Sequence, residues 1–137
     1  TPATAHGFKD ATTNPDQIIT WWTDMPDANI GLATGGLVDV VDIDGPEAAH
    51  HWLQLAEQLD GGTGWQVAGL PPILGYVSTP RHGGVHLYVK ASGHGNTPSM
   101  LPPVDYRGRG GYVVAPPSRT PDGVYEWLGT PRIGAEA

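Results

Sequence analysis

The residues VDVVDIDGPEAAHHW, at positions 38–52, join an apolar strand pattern directly to a helical pattern and place two aspartates at the junction. Side chains alternate between the faces of a strand, so positions 38, 40, 42 and 44 should share one face. Val38 and Val40 continue an apolar face that Asp42 and Asp44 end. Ionised carboxylates about 6–7 Å apart repel each other. A divalent cation would relieve that repulsion, because carboxylate oxygens are its usual ligands.

A simpler interpretation of the same two residues stays open. Asp44 would cap the helix that follows it, because aspartate is a preferred N-cap residue, while Asp42 faces solvent. A D-x-D spacing is common in proteins, so the spacing alone does not decide between metal binding and helix capping.

Short strand patterns dominate the rest of the chain, which contains 20 Gly and 14 Pro for its turns. We expect a helix within 12–26, capped by Asn14 with Pro15 in its first turn, and a longer helix within 45–62. Strands are expected at 29–35, 37–44, 73–79, 85–90 and 124–128 and twice within 104–118, with a loop at 91–103. The first two strands should form a hairpin through Gly35 and Gly36. These elements predict an α+β domain with a mostly antiparallel sheet.

Composition excludes several classes of protein. The 137 residues suffice for one domain, and the longest apolar runs fall short of the ~20 residues that a membrane span needs. Cysteine is absent, which excludes disulfides and thiolate metal sites and fits a cytoplasmic protein. A net charge of −7 argues against broad, non-specific nucleic-acid binding but suits metal ions. The seven Lys and Arg include a group of five between positions 81 and 119, where a local basic surface is expected.

A second polar stretch, STPRHGGVHLYVK, covers residues 78–90. In its strand, Val85, Leu87 and Val89 should face the core and leave His86 on the polar face. The preceding RHGG supplies a cation and flexible backbone amides, which suit an anionic phosphate. The alternative is an ordinary hairpin turn with a surface histidine.

The third stretch, VDYRGRGGYVVAPPS, covers residues 104–118. Asp105 and Arg107 should share a strand face opposite Val104 and Tyr106. Asp105 would then be the third carboxylate of one metal site. The alternative is an exposed ion pair beside a tight hairpin, which would contribute little to stability.

Taken together, the chain resembles the bifunctional primase-polymerase domain of the archaeo-eukaryotic primase superfamily, which occurs in replication proteins of phages, plasmids and integrated elements. The resemblance is carried by the segments VVDIDG, TPRHGGVHLYV and VDYRGRGGYVVAPPS, in that order, and by GFKDATTNPDQIITWWTDMPDANIGLATG before them. It implies an RRM-like sheet as the catalytic core, packed on a small N-terminal α/β unit. The family usually begins with a further helix and strand, so we expect residues 1–137 to be a single catalytic domain that lacks them.

The resemblance also implies roles for individual residues. Asp42, Asp44 and Asp105 match the acids that bind two divalent ions, Mg²⁺ or Mn²⁺. His86 matches the histidine that contacts the phosphates of the incoming nucleotide and counts with these acids as catalytic. The further nucleotide-binding positions expected are Thr79, Arg81, Gly84 and Arg107. No zinc is expected, because the histidines lack the spacing of a zinc site.

The implied reaction is template-directed nucleotidyl transfer by a DNA primase or polymerase. Its partners would be nucleoside triphosphates, a single-stranded DNA template and a primer, with a helicase domain possible elsewhere in the parent protein and no membrane. Two rival functions are a metal-dependent nuclease and a non-catalytic replication module that binds single strands. Degradation of labelled DNA without nucleotides would favour the nuclease, and binding that survives a chelator would favour the binding module.

Overall fold

The computed structural model describes residues 3–47, 50, 73–80, 83–93, 95, 97–101 and 104–133. A short 3₁₀ helix, Gly7–Asp10, precedes one described α-helix, α1, Pro15–Asp24. The strands are β1 Ile30–Ala33, β2 Val38–Ile43, β3 Ile73–Ser78, β4 Val85–Lys90, β5 Thr97–Leu101, β6 Val104–Arg107, β7 Tyr112–Ala115, β8 Arg119–Thr120, β9 Gly123–Val124 and β10 Glu126–Trp127. Among the described helices, none is long and apolar enough to cross a membrane.

Helix α1 follows the local signals in its sequence. The Asn14 side chain accepts a hydrogen bond from the backbone N–H of Asp16 at 2.9 Å, and Pro15 occupies the first helical position. This is the arrangement expected of a helix start, because the first N–H groups of a helix have no partner within it. The helix and its cap are therefore confirmed.

A six-stranded antiparallel sheet forms the centre of the molecule, in the order β10-β3-β4-β2-β6-β5. Separate two-stranded sheets join β1 to β7 and β8 to β9. The α+β class with a mostly antiparallel sheet is thus confirmed.

The two faces of the central sheet carry different residues, because side chains alternate along each strand. What we call the Asp42 face consists of Val38, Val40 and Asp42 on β2, His86 and Tyr88 on β4, and Asp105 and Arg107 on β6. What we call the Asp39 face consists of Asp39, Val41 and Ile43 on β2, Val85, Leu87 and Val89 on β4, and Tyr106 on β6.

An apolar cluster covers one end of the Asp42 face. Val38 and Val40 pack with Tyr88 and with Val113 of β7, and all four are buried. Trp127 closes the cluster from β10, with its ring centroid 4.9 Å from that of Tyr88. The apolar cover ends along β2 before Asp42, whose side chain keeps 21% of its exposure. The polar residues therefore lie at the edge of a packed core.

Two predicted connections are wrong. Strands β1 and β2 do not form a hairpin, because β1 pairs with β7 and β2 pairs with β4 and β6. The segment 91–103 is not only a loop, because it contains β5, which pairs with β6. The partner of β1 is distant in sequence, and turn signals carry no information about such pairing. Strand β5 pairs with β6, its neighbour in sequence, but contains Pro98, a residue that is untypical of strands.

Other predicted elements differ only in their limits. The strand expected at 124–128 occurs as the short strands β9 and β10, of which β10 pairs with β3. In the helix expected within 45–62, residues 46, 47 and 50 are helical. The rest of that segment lies outside the described residues.

Candidate functional site

Three polar residues form a row across the centre of the sheet. Asp42 on β2 lies directly opposite His86 on β4 and directly opposite Asp105 on β6. Residues opposite each other in an antiparallel pair have side chains on the same face, with Cβ atoms about 4.5–5.5 Å apart. The strand register thus brings together three side chains from motifs that are far apart in sequence.

His86 contacts Asp42 from within the core. Its Nε2 lies 3.4 Å from Oδ1 of Asp42, and its side chain is only 8% exposed. The ring of Tyr125 lies beside it, at a centroid distance of 6.0 Å. Within the described part of the chain, Nδ1 of His86 is buried and has no hydrogen-bond partner. Packing therefore holds the imidazole with Nε2 directed at Asp42.

Arg107 bridges the two carboxylates of the row. Its Nη2 lies 3.3 Å from Oδ2 of Asp105 and 3.8 Å from Oδ2 of Asp42. The backbone of Arg107 pairs with Val40, one position along the same face from the Asp42–Asp105 pair. The site thus already holds a cation between two carboxylates, which offsets their mutual repulsion.

The row is only partly open to solvent. The exposed fractions are 21% for the side chain of Asp42, 26% for that of Asp105 and 31% for that of Arg107. Charges at this depth interact more strongly than at a free surface, because less water screens them. The arrangement is therefore able to attract a small cation or an anionic group that carries one.

Asp44 lies outside this row. Strand β2 ends at Ile43, so the alternation that was expected to place Asp44 beside Asp42 stops one residue earlier. The Asp44 side chain is exposed. Among the described residues, no three His, Asp or Glu side chains converge as they would around one ion. Metal binding by Asp42, Asp44 and Asp105 stays a prediction.

The turn before β4 packs against the end of β2. A Cβ atom at Gly84 would lie 2.3 Å from the carbonyl oxygen of Ile43 and 3.1 Å from Oγ1 of Thr79. The backbone N–H of Thr79 donates to the carbonyl of Gly84 at 3.1 Å. Glycine is therefore needed at position 84 for close packing, whatever the turn binds. Arg81, the cation predicted in this turn, lies outside the described residues.

Sequence reasoning missed a second polar cluster, on the Asp39 face. Oδ2 of the completely buried Asp39 accepts hydrogen bonds from the Tyr106 hydroxyl at 2.5 Å and from the Ser92 backbone N–H and hydroxyl, both at 3.0 Å. Burial, followed by the hydrogen bond to Asp39, raises the pKa of Tyr106 to about 12. The sequence did offer a signal, because side chains alternate along a strand. By that alternation Asp39 and Tyr106 lie on the opposite face of the sheet from Asp42 and Asp105.

Sequence reasoning also missed that Arg107 contacts both carboxylates. Its spacing from Asp105 placed the two on one face, but the contact with Asp42 depends on the pairing of β2 with β6. That pairing joins segments more than sixty residues apart, and no local pattern specifies it.

A comparison of the sequence with known proteins identifies the family of the chain. The model of the family described as bifunctional DNA primase/polymerase, N-terminal, matches residues 1–137. No curated protein and no solved structure matches the chain. The family is one of primase and polymerase nucleotidyltransferases. With the match extending over every residue, the chain belongs to the N-terminal domain family of bifunctional DNA primase/polymerases.

Proposed function

We propose that this protein catalyses template-directed nucleotidyl transfer with two divalent ions, Mg²⁺ or Mn²⁺, in the replication of a phage, plasmid or integrated element. The observation that carries the proposal is the row of Asp42, His86 and Asp105 across three adjacent strands. Membership of the primase/polymerase family supports the reaction class. The metals, the template and the replication setting are inferred in addition to what family membership supports.

The residues of the row fit divalent ions in their chemistry. Asp42 and Asp105 offer carboxylate oxygens, the ligands that Mg²⁺ and Mn²⁺ prefer. The Arg107 guanidinium between them is a stand-in cation, because it occupies the position at which both carboxylates attract positive charge. Asp42 and Asp105 would hold the ions, and we assign the exposed Asp44, which lies outside the row, to the same ions. When bound, such ions stabilise the attacking and leaving oxygens of phosphoryl chemistry.

His86 and Arg107 would bind and orient the triphosphate. The imidazole is packed against Tyr125 and beside Asp42, so its position is fixed before a nucleotide arrives. A fixed donor next to the reacting phosphate contributes orientation and charge without forming a covalent intermediate. Thr79, Arg81 and Gly84 belong to the turn before β4, and we assign them to the nucleotide phosphates as well.

We expect the protein to bind DNA weakly and through a small number of cationic residues. Phosphate neutralisation by Lys and Arg dominates affinity for nucleic acid, and this chain has a net charge of −7. Arg109 and Arg119 are exposed and are the described cations that we assign to the template and primer. Other domains of the parent protein, such as a helicase, would supply further contacts.

Incubating the protein with labelled nucleotides and a single-stranded template, with and without a primer, in Mg²⁺ or Mn²⁺, tests the proposal. We expect incorporation that depends on the template and stops when a chelator is added. Degradation of labelled DNA in Mn²⁺ without nucleotides would replace the proposal with a nuclease. Template binding that survives the chelator, with no incorporation in either metal, would replace it with a binding module.

A further inference from the structure

We propose that Arg107 exchanges partners during the reaction cycle. Without divalent ions it occupies the space between Asp42 and Asp105 and competes with the incoming ion, and once displaced it binds the nucleoside triphosphate. This inference rests on the proposed function. It adds that one side chain limits metal binding and supports nucleotide binding in turn.

The contacts of Arg107 place it in competition with a metal ion. Nη2 lies within 3.8 Å of a carboxylate oxygen of both Asp42 and Asp105. An ion held by the same two carboxylates would need those oxygens, and it would be repelled by a guanidinium a few ångströms away. The guanidinium and a metal ion therefore cannot bind these carboxylate oxygens at the same time.

Arginine is the partner able to move. Asp42 and Asp105 have short side chains on strands that pair directly, so their carboxylates have little freedom. Arg107 has a long side chain that is 31% exposed, and it pivots from a backbone fixed opposite Val40. Displacement can thus carry the guanidinium away from the carboxylates without any change in the sheet.

Displacement leaves the guanidinium at the mouth of the site. The two carboxylates repel a triphosphate, and the double charge of a divalent ion offsets that repulsion more than the single charge of Arg107 does. Once a divalent ion has taken the carboxylates, the displaced guanidinium presents the planar fork of N–H donors that suits phosphate oxygens. The order of events that follows is metal first, then nucleotide.

The inference requires that removal of the Arg107 charge change two affinities in opposite directions. In Arg107→Gln, Mn²⁺ binding without nucleotide should tighten by about tenfold, because a like charge near the ion is lost. At saturating Mn²⁺, binding of a non-hydrolysable nucleoside triphosphate should weaken by about tenfold, because a charge-assisted hydrogen bond is lost. Substitution of a residue with a purely structural role would not change the Mn²⁺ affinity and the nucleotide affinity in opposite directions.

Mn²⁺ titration followed by electron paramagnetic resonance tests the first half, with unfolding curves verifying that each variant is folded. Arg132→Gln is the matched control, because it removes the charge of an exposed arginine that has no assigned role in binding, and it should leave Mn²⁺ affinity within about twofold. Arg107→Lys keeps the charge without the fork and should fall between wild type and Arg107→Gln. Calorimetric titration of the nucleotide analogue tests the second half.

The possible results distinguish this inference from the proposed function. If wild type binds Mn²⁺ and Arg107→Gln binds it equally or more weakly, the exchange is overturned and the proposed function stands. If Arg107→Gln binds Mn²⁺ more tightly but binds the nucleotide as wild type does, the nucleotide half is overturned. If no folded variant binds Mn²⁺, both are overturned.

Discussion

Two aspartates three residues apart on β2, Asp39 and Asp42, have opposite environments. Asp39 is completely buried, and the described donors to its carboxylate are the Tyr106 hydroxyl and the hydroxyl and backbone N–H of Ser92. Asp42 is partly exposed and lies beside His86 and Arg107, with a second carboxylate, Asp105, directly opposite. Hydroxyls and a backbone amide surround one carboxylate, and groups able to carry charge surround the other.

This difference shows how the two faces of the sheet divide their roles. The hydrogen bond between Asp39 and Tyr106 joins β2 to β6, and Asp105 directly precedes Tyr106. A buried bond between these strands restrains their relative movement and thereby the spacing of Asp42 and Asp105. We infer that the Asp39 face supplies rigidity and that the Asp42 face supplies chemistry.

The largest effect on stability is expected from Asp39→Ala. Removing the carboxylate leaves the Tyr106 hydroxyl and the Ser92 N–H without their buried acceptor, which should lower the free energy of unfolding by about 2–3 kcal/mol. Denaturant unfolding of wild type and variant measures it. Nucleotide incorporation per folded molecule should survive at low temperature. An unchanged free energy of unfolding would show that this network is not a structural support.

A smaller effect, on binding only, is expected from His86→Ala. Loss of the imidazole beside Asp42 should weaken nucleotide affinity by about tenfold, the size of one hydrogen bond to a charged group, and leave template affinity unchanged. Titrations of nucleotide and of single-stranded DNA into the same variant measure the two. Unchanged nucleotide affinity would remove His86 from the phosphate site.

The smallest effect is expected from Tyr106→Phe, which keeps the ring and removes the hydroxyl. The variant should lose about 1 kcal/mol near neutral pH. The pKa of Tyr106 is raised to about 12, so its contribution is complete below the ordinary pKa of 10.0 and is lost as pH rises from there through about 12.

Alkaline unfolding measures this directly. Wild-type stability should fall over that interval, and the fall should be shallower in Tyr106→Phe. Some fall should remain in the variant, because burial also raises the pKa of Tyr88 to about 12. Identical alkaline profiles for wild type and variant would contradict the buried hydrogen bond to Asp39.

The sequence predicted the features that depend on neighbouring residues better than those that depend on contacts between distant segments. Helix α1 was predicted with its cap, because Asn14 and Pro15 act within one turn. Strands β3 and β4 were predicted nearly to their ends, because alternation and the intervening glycines are local signals. The pairing of β1 with β7 was not predicted, because it joins segments about eighty residues apart and the turn at Gly35 suggested a nearer partner.

The candidate site shows the same limit. The alternation of side chains along each strand and the family resemblance together singled out Asp42, His86 and Asp105. The strand register places these three residues side by side. The alternation did not hold at Asp44, because β2 ends one residue before it. The same alternation places Asp39 on the apolar side of the strand, where a buried aspartate requires buried hydrogen-bond donors, and this consequence was missed. Only the paired strands reveal those donors.

Nucleotide incorporation by Asp42→Asn and Asp39→Asn, assayed together on a primed single-stranded template in Mg²⁺ and in Mn²⁺, tests the division between the faces most directly. Both substitutions remove one carboxylate from β2, and unfolding curves set a temperature at which both variants are folded. We predict that Asp42→Asn incorporates nothing while remaining at least as stable as wild type without metal, and that Asp39→Asn is less stable but incorporates nucleotides. Substantial incorporation by folded Asp42→Asn would contradict a nucleotidyl-transfer site built around Asp42.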